Sequence, residues 1–425
     1  MRQRLGTIDH GFVPRKLTVC YAAICVGEVD TALLRRAFEL LCRKYPMLGG
    51  TLELADGACY VRIREDSSAA VEIVDRAIAD WLANATTPLD PERILAKLEI
   101  VRDGGVTAVA LRVSHAINDA TMGFALLQDF WRIAAALSAA SALPDLNPVF
   151  PGSLENLYAE RGLALPRLTH ADPGLPLRSI PSSDIGTGTH FKPSVAERIM
   201  LSAEQTADLL RYARESGTTL HALLSAAIIR AERAMIPDAP GSATELPMIL
   251  YHLVDMRPHL QPPAHPADVT NGLGFAPTRT ACAPDSDLDV LAKDVKDQIS
   301  TGIENGSAVA VMLAASAHAS TGHTRDSVGS FLTNWGVVPA LDQPVGVEII
   351  DFRGFATSDP VTMAGYFAYT FHGRLTVELA YSDRFYRPAR ITELREHLLG
   401  NLRAHTPLTA ARSMNPNRYP ATRRI

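Results

Sequence analysis

A histidine and an aspartate four residues apart, His115 and Asp119 in "RVSHAINDATMG", have the types and spacing to do chemistry. An imidazole exchanges a proton near neutral pH, so a histidine can act as general base on an attacking hydroxyl or amine. The run before it, "GVTAVALRVS", alternates as a strand does. Val106, Ala108, Ala110 and Arg112 share one face; Val109, Leu111 and Val113 share the other. Both faces are mostly apolar, which predicts a strand in the middle of its sheet. The run after it, Thr121 to Leu137, predicts a helix. His115 therefore falls at a strand end, where a rigid backbone meets solvent or substrate. Asp119 suits either a helix cap or the partner of a cation. Spacing alone does not separate these roles from a half-buried histidine beside an ordinary capping aspartate.

Other familiar sites are missing from the sequence. It has no G-x-S-x-G elbow, no P-loop and no H-E-x-x-H. "NGLGFA" supplies only G-x-G and reads as a turn. His318 and His323 stand too isolated to hold a metal, and none is expected. The five cysteines are odd in number and lack a C-x-x-C, which predicts reduced thiols and no disulfide framework. With a net charge of −5 and no basic run, nucleic acid is not an expected partner. The arginine-containing end, "RSMNPNRYPATRRI", reads as a solvated terminus. The start, "MRQRLGTIDHGFV", has no apolar core and does not read as a signal peptide. The most apolar runs are far shorter than the ~20 residues of a membrane span, so a cytoplasmic location is expected.

The elements that must position His115 form two mixed α/β halves. In the first, Asp30 caps a helix whose Leu34, Ala37, Phe38 and Leu41 share a face, and "GTLELADGACYVRIRE" predicts a hairpin turning at Asp56-Gly57. In the second, "AERIMLS" predicts a strand, Ser202 and Gln205 a capping box, and Gly217 a helix stop. Leu220 to Ile228 predicts a further helix, and "LPMILYHLVDMR", "SFLTNWGVV" and "GVEIIDFRGF" predict strands. A Pro-, Gly- and Ser-rich region separates the halves. The expected division is 1–150 for the first lobe, 151–190 for a linker and 191–425 for the second lobe.

The motif and its surroundings resemble the superfamily with the chloramphenicol acetyltransferase fold, which includes condensation domains, plant BAHD acyltransferases and polyketide-associated acyltransferases. The resemblance runs, in chain order, through "VGEVDTALLRRAFELLCRKYPMLGGTL", "SHAIND", "TLHALLSAAIIRA", "LVDMRPHL" with "NGLGF", and "FLTNWG". It is strongest to the polyketide-associated acyltransferases. It implies two lobes, each a mixed sheet flanked by helices, with an active-site tunnel between them. His115 would be the general base. Asp119 would turn away from substrate and pair with Arg257. Thr333 and Asn334 are candidates to face the oxyanion or substrate. The donor would be an acyl-coenzyme A or a phosphopantetheinyl carrier protein, used as co-substrate with no tightly bound cofactor. The acceptor would be a small molecule, and a monomer is expected. Condensation domains usually have a second histidine where this chain has Ser114, and a glycine where it has Ala120. Both departures favour ester formation; an amide-forming enzyme and an inactive acyl-carrier- or product-binding relative are the alternatives.

Overall fold

The computed structural model describes residues 1–63, 69–84, 87–168, 177–180, 186–194, 197–237, 245–320 and 329–404. The arginine-containing tail lies outside them. The strand leading to His115 runs Val106–Ser114 and is third of five, in the order Val347–Thr357, Thr18–Gly27, Val106–Ser114, Ala96–Asp103, Val71–Asp75. It is antiparallel to both neighbours, with Ser114 opposite Thr18 and Val113 opposite Ala96. All nine of its residues are buried, as expected of a central strand covered on both faces. Val109, Leu111 and Val113 pack under the helices Thr31–Lys44 and Ala120–Ser138. Ala108 and Ala110 pack on the opposite face with Trp81.

Local rules explain most of the flanking elements. The Asp30 carboxylate accepts from the Ala32 and Leu33 N–H groups and opens the first long helix. Asp56 and Gly57 both have positive φ, 53° and 72°, as the two-residue hairpin turn requires. Ser202 and Gln205 form the reciprocal capping box, and the helix ends at Glu215 with Gly217 in the left-handed region just beyond.

The second sheet is also mixed. Its order is Leu273–Cys282, Leu246–Asp255, Ser330–Val337, Gly365–Phe371, Arg374–Tyr381, Lys192–Pro193, with Ile199–Met200 also pairing the fifth strand. Among the described residues of "AERIMLS", only Ile199 and Met200 make strand. A separate antiparallel sheet holds Arg2–Arg4, Ala58–Arg62 and Thr51–Ala55.

Two features depart from a division by sequence position. The strand Val347–Thr357 belongs to the first sheet, paired antiparallel along Thr18–Gly27. Buried ion pairs tie it back to the second sheet's side of the molecule: Arg198 to Asp351 at 2.6 Å, and Arg353 to Glu378 at 2.5 and 2.8 Å. The expected linker contains a helix, Leu154–Glu160, capped by Ser153.

Candidate active site

His115 opens a short 3-10 turn at the end of its strand, and its backbone N–H donates to the Leu17 carbonyl at 2.8 Å. The Phe12 ring stacks on the imidazole with centroids 3.9 Å apart. The Asn271 Oδ1 lies 3.1 Å from Nδ1. The orientation of that amide is fixed by its other end, because Nδ2 donates to Asp9 Oδ1 at 2.8 Å and to the His115 carbonyl at 2.9 Å. Both are acceptors, so the amide oxygen must face the ring. Nδ1 therefore carries the proton, and the lone pair sits on Nε2. Among the described residues no group hydrogen-bonds to Nε2. Burial lowers the pKa of His115, against the opposing pull of Asp119, its own backbone and Asn271. A half-buried imidazole held in this form can take a proton at Nε2 near neutral pH.

Asp119 is buried and faces away from the imidazole. One oxygen caps the helix Ala120–Ser138 by accepting from the Met122 N–H at 2.9 Å. The other accepts from Arg257 Nη1 and from the Gly272 N–H, both at 2.7 Å. Cap and ion pair are thus one arrangement, not alternatives. Burial works against the charge of Arg257, but Asp119 and then Asp255 raise its pKa above the usual value. Arg257 lies in a 3-10 turn just past the strand Leu246–Asp255, and it also donates to the Val269 carbonyl at 2.8 Å. The adjoining Asp255 accepts from the Thr121 hydroxyl at 2.8 Å. The loop after His115 is therefore clamped to the second half of the chain at several points.

The "NGLGFA" stretch is not a turn. The strand Leu273–Cys282 begins inside it, and its glycines serve close approach. A Cβ on Gly272 would lie 2.7 Å from Arg257 Nη1, and one on Gly274 would lie 2.9 Å from Met256 Sδ. The same logic holds at Gly123, where a Cβ would sit 1.9 Å from the Tyr21 hydroxyl. That hydroxyl donates to Asn118 Oδ1 at 2.7 Å, bracing the turn after His115.

His115, Asp119 and Arg257 come together around Asn271 and Gly272. Thr333 and Asn334 lie on the strand Ser330–Val337, and neither hydrogen-bonds to His115 or Asn271. The Asn334 Oδ1 accepts from the Gly336 N–H at 3.0 Å, closing a bulge in its own strand. Trp335 packs against Tyr21, Phe124, Phe367 and Tyr369. Asn271, Phe12 and Asp9 escaped the sequence reading. Asn271 carried a weak signal, a polar residue before the glycine of "NGLGF"; Asp9 and Phe12 carried none. Among the described residues no group of three or more His, Cys, Asp or Glu is placed to hold a metal ion. All five cysteines are free thiols, and burial pushes Cys25 and Cys42 up to about 12. No described helix is long and apolar enough to cross a membrane.

A family model described as phthiocerol/phthiodiolone dimycocerosyl transferase C-terminus matches residues 192–380. The chain is 26% identical over 370 residues to the phthiocerol/phthiodiolone dimycocerosyl transferase of Mycobacterium tuberculosis, covering 83% of this chain and 85% of that protein. Among solved structures it is similar to polyketide synthase associated protein 5 from Mycobacterium tuberculosis, with a TM-score of 0.74 and 23% identity, covering 95% and 97% of the two chains. It is also similar to the first condensation domain of the calcium-dependent antibiotic synthetase, with a TM-score of 0.66 and 17% identity, covering 95% of each chain. The fold is that of the chloramphenicol acetyltransferase-like superfamily. Within it the likeness runs to polyketide-associated acyltransferases, and the matches support acyltransferase activity for this chain.

Proposed function

We propose that the protein moves an acyl group from a thioester, on coenzyme A or on a carrier protein's phosphopantetheine arm, to a hydroxyl of a polyketide, lipid or other secondary metabolite. His115 Nε2 takes the proton of the acceptor hydroxyl as its oxygen attacks the thioester carbonyl. The tetrahedral intermediate collapses, the carbon–sulfur bond breaks, and the proton on the imidazolium passes to the leaving thiolate to give the free thiol. Asp119 and Arg257 support the site from behind and touch no reacting atom. Thr333 and Asn334 are the oxyanion candidates: the Thr333 hydroxyl has no hydrogen bond among the described residues, and Asn334, whose oxygen accepts from the Gly336 N–H, has its NH2 left to donate.

The observation that carries this reading is the held imidazole: Nδ1 is engaged by Asn271 and Nε2 is left open at a strand end. Orientation of two substrates plus one base can each supply several kcal/mol of the barrier. The reading includes two lobes, with the chain passing from the first to the second near the 151–190 segment and returning the strand Val347–Thr357 to the first, acting as a cytoplasmic monomer. Thiol release from a panel of acyl-coenzyme A and acyl-carrier donors, with hydroxyl or amine acceptors, tests it. Release stimulated by hydroxyl acceptors with ester product is expected. Stimulation by amines alone would replace ester formation with amide formation.

A further inference from the structure

A second acid lies close to the His115 site and has no part in the mechanism so far. Asp9 is 2% exposed and sits in the short helix Thr7–Gly11, far from the H-x-x-x-D motif in sequence. Its Oδ1 accepts from the Thr270 hydroxyl at 2.7 Å and from Asn271 Nδ2 at 2.8 Å. Its Oδ2 accepts from the Gly6 N–H at 3.1 Å. The helix is itself pinned. The Glu155 carboxylate accepts from the Thr7 and Ile8 N–H groups at 2.6 and 3.2 Å. Gly11 packs so closely on Ser316 that a Cβ there would lie 2.6 Å from the serine Cβ. Phe12 follows directly and stacks on His115. One short segment therefore reaches the same imidazole twice, through a ring and through an amide.

We propose that Asp9 is a positioning residue for His115: by accepting from Asn271 it fixes the face of that amide, and so fixes the imidazole proton on Nδ1. The proposal rests on the reading of His115 as the base. Asn271 can present either its oxygen or its NH2 to the ring, and the Asp9 oxygen, the side-chain one of the two acceptors that hold the NH2 away, favours the oxygen. Which imidazole nitrogen holds the proton follows from the bond made at the other. Without the Asp9 acceptor the His115 carbonyl alone holds the amide NH2; the preference for the oxygen-to-ring orientation weakens, and part of the population turns over, with Nδ1 as acceptor and the proton on Nε2, where it blocks base action. Burial pushes the pKa of Asp9 up to about 7, opposed by its hydrogen bonds and reinforced by Glu155. A proton taken up there goes to Oδ2, whose one donor is Gly6. Oδ1 faces two donors and stays an acceptor, so the arrangement survives either charge state.

The test is 15N NMR of histidine-labelled full-length protein, with the His115 signals identified by their loss in His115→Ala. Wild-type His115 is expected as the Nδ1–H tautomer. Asp9→Ala should shift it towards Nε2–H and lower kcat by about 10–100-fold, the size found for the partners that orient metal-bound histidines, with KM unchanged. A wild-type Nε2–H tautomer overturns the proposal, and so does a folded Asp9→Ala protein with wild-type tautomer and kcat. If Asp9→Ala does not fold, Asn271→Ala must show the same shift; an unchanged tautomer there is equally contrary. Full activity in His115→Ala would instead defeat the base assignment, while the tautomer measurement still reports on Asp9.

Discussion

The imidazole of His115 and the carboxylate of Asp119 divide their work by facing opposite ways. His115 keeps Nε2 open, while Asp119 gives each of its oxygens to groups behind the site. Burying an ion pair gains little net stability, because both partners lose water; removing one partner leaves the other uncompensated and costs roughly 3–5 kcal/mol. Asp119→Ala also loses the helix cap and the Gly272 contact, so it should be the more damaging change. Arg257→Ala leaves Asp119 with two N–H donors and should cost less. The double variant should lose less than the sum of the singles, since both report partly on one interaction. Chemical unfolding of the three variants measures this, and strict additivity would separate the two residues. At this scale the motif was legible because a strand pattern, a histidine and a capping aspartate fall in sequence together. Asp9 was not, since its role depends on long-range hydrogen bonds that leave no local trace, and Asn271 showed only as the polar residue that opens "NGLGF".

Elements with a local signal were read well: the alternating His115 strand, the Asp30 cap, the Ser202 capping box and the Asp56-Gly57 turn. Elements defined by a distant partner were not. The described residues of "AERIMLS" make only a two-residue strand, and "NGLGFA" reads as a turn by composition although its glycines admit Arg257 and Met256. A buried histidine pair went unremarked for the same reason. His221 Nε2 lies 2.9 Å from His252 Nδ1, and His252 Nε2 lies 2.8 Å from the Thr278 hydroxyl. Burial lowers His221 to about 4, and burial with the neighbouring His221 lowers His252 well below its usual value. The folded state thus binds fewer protons than the unfolded one in this window. Stability is held above pH 6.5 and lost as pH falls towards about 4, by on the order of 3 kcal/mol for His221. Asp9 slopes the opposite way, because its raised pKa favours folding at low pH. The comparison is therefore with the His221→Leu/His252→Leu variant, whose unfolding energy should fall less steeply between those pH values. An unchanged slope would mean the pair is not what titrates.

The whole molecule is joined more tightly than a chain of two lobes and a linker. The strand Val347–Thr357 is donated to the first sheet, and the loop Asn271–Gly272 of the second half completes the surroundings of His115. The overall architecture was legible through the order of five sequence blocks along the chain. The crossing strand was not, because its apolar residues fit either sheet equally well. The central claim, that His115 is the base of an acyl transfer, is tested most directly by assaying His115→Ala with a productive donor and acceptor. The substitution removes a half-buried ring whose side chain makes one hydrogen bond to another residue, so the variant should unfold near the wild-type temperature. Its acyl transfer should fall by about 10²–10⁴-fold, the worth of a general base. A folded His115→Ala protein with wild-type acyl transfer would contradict the claim.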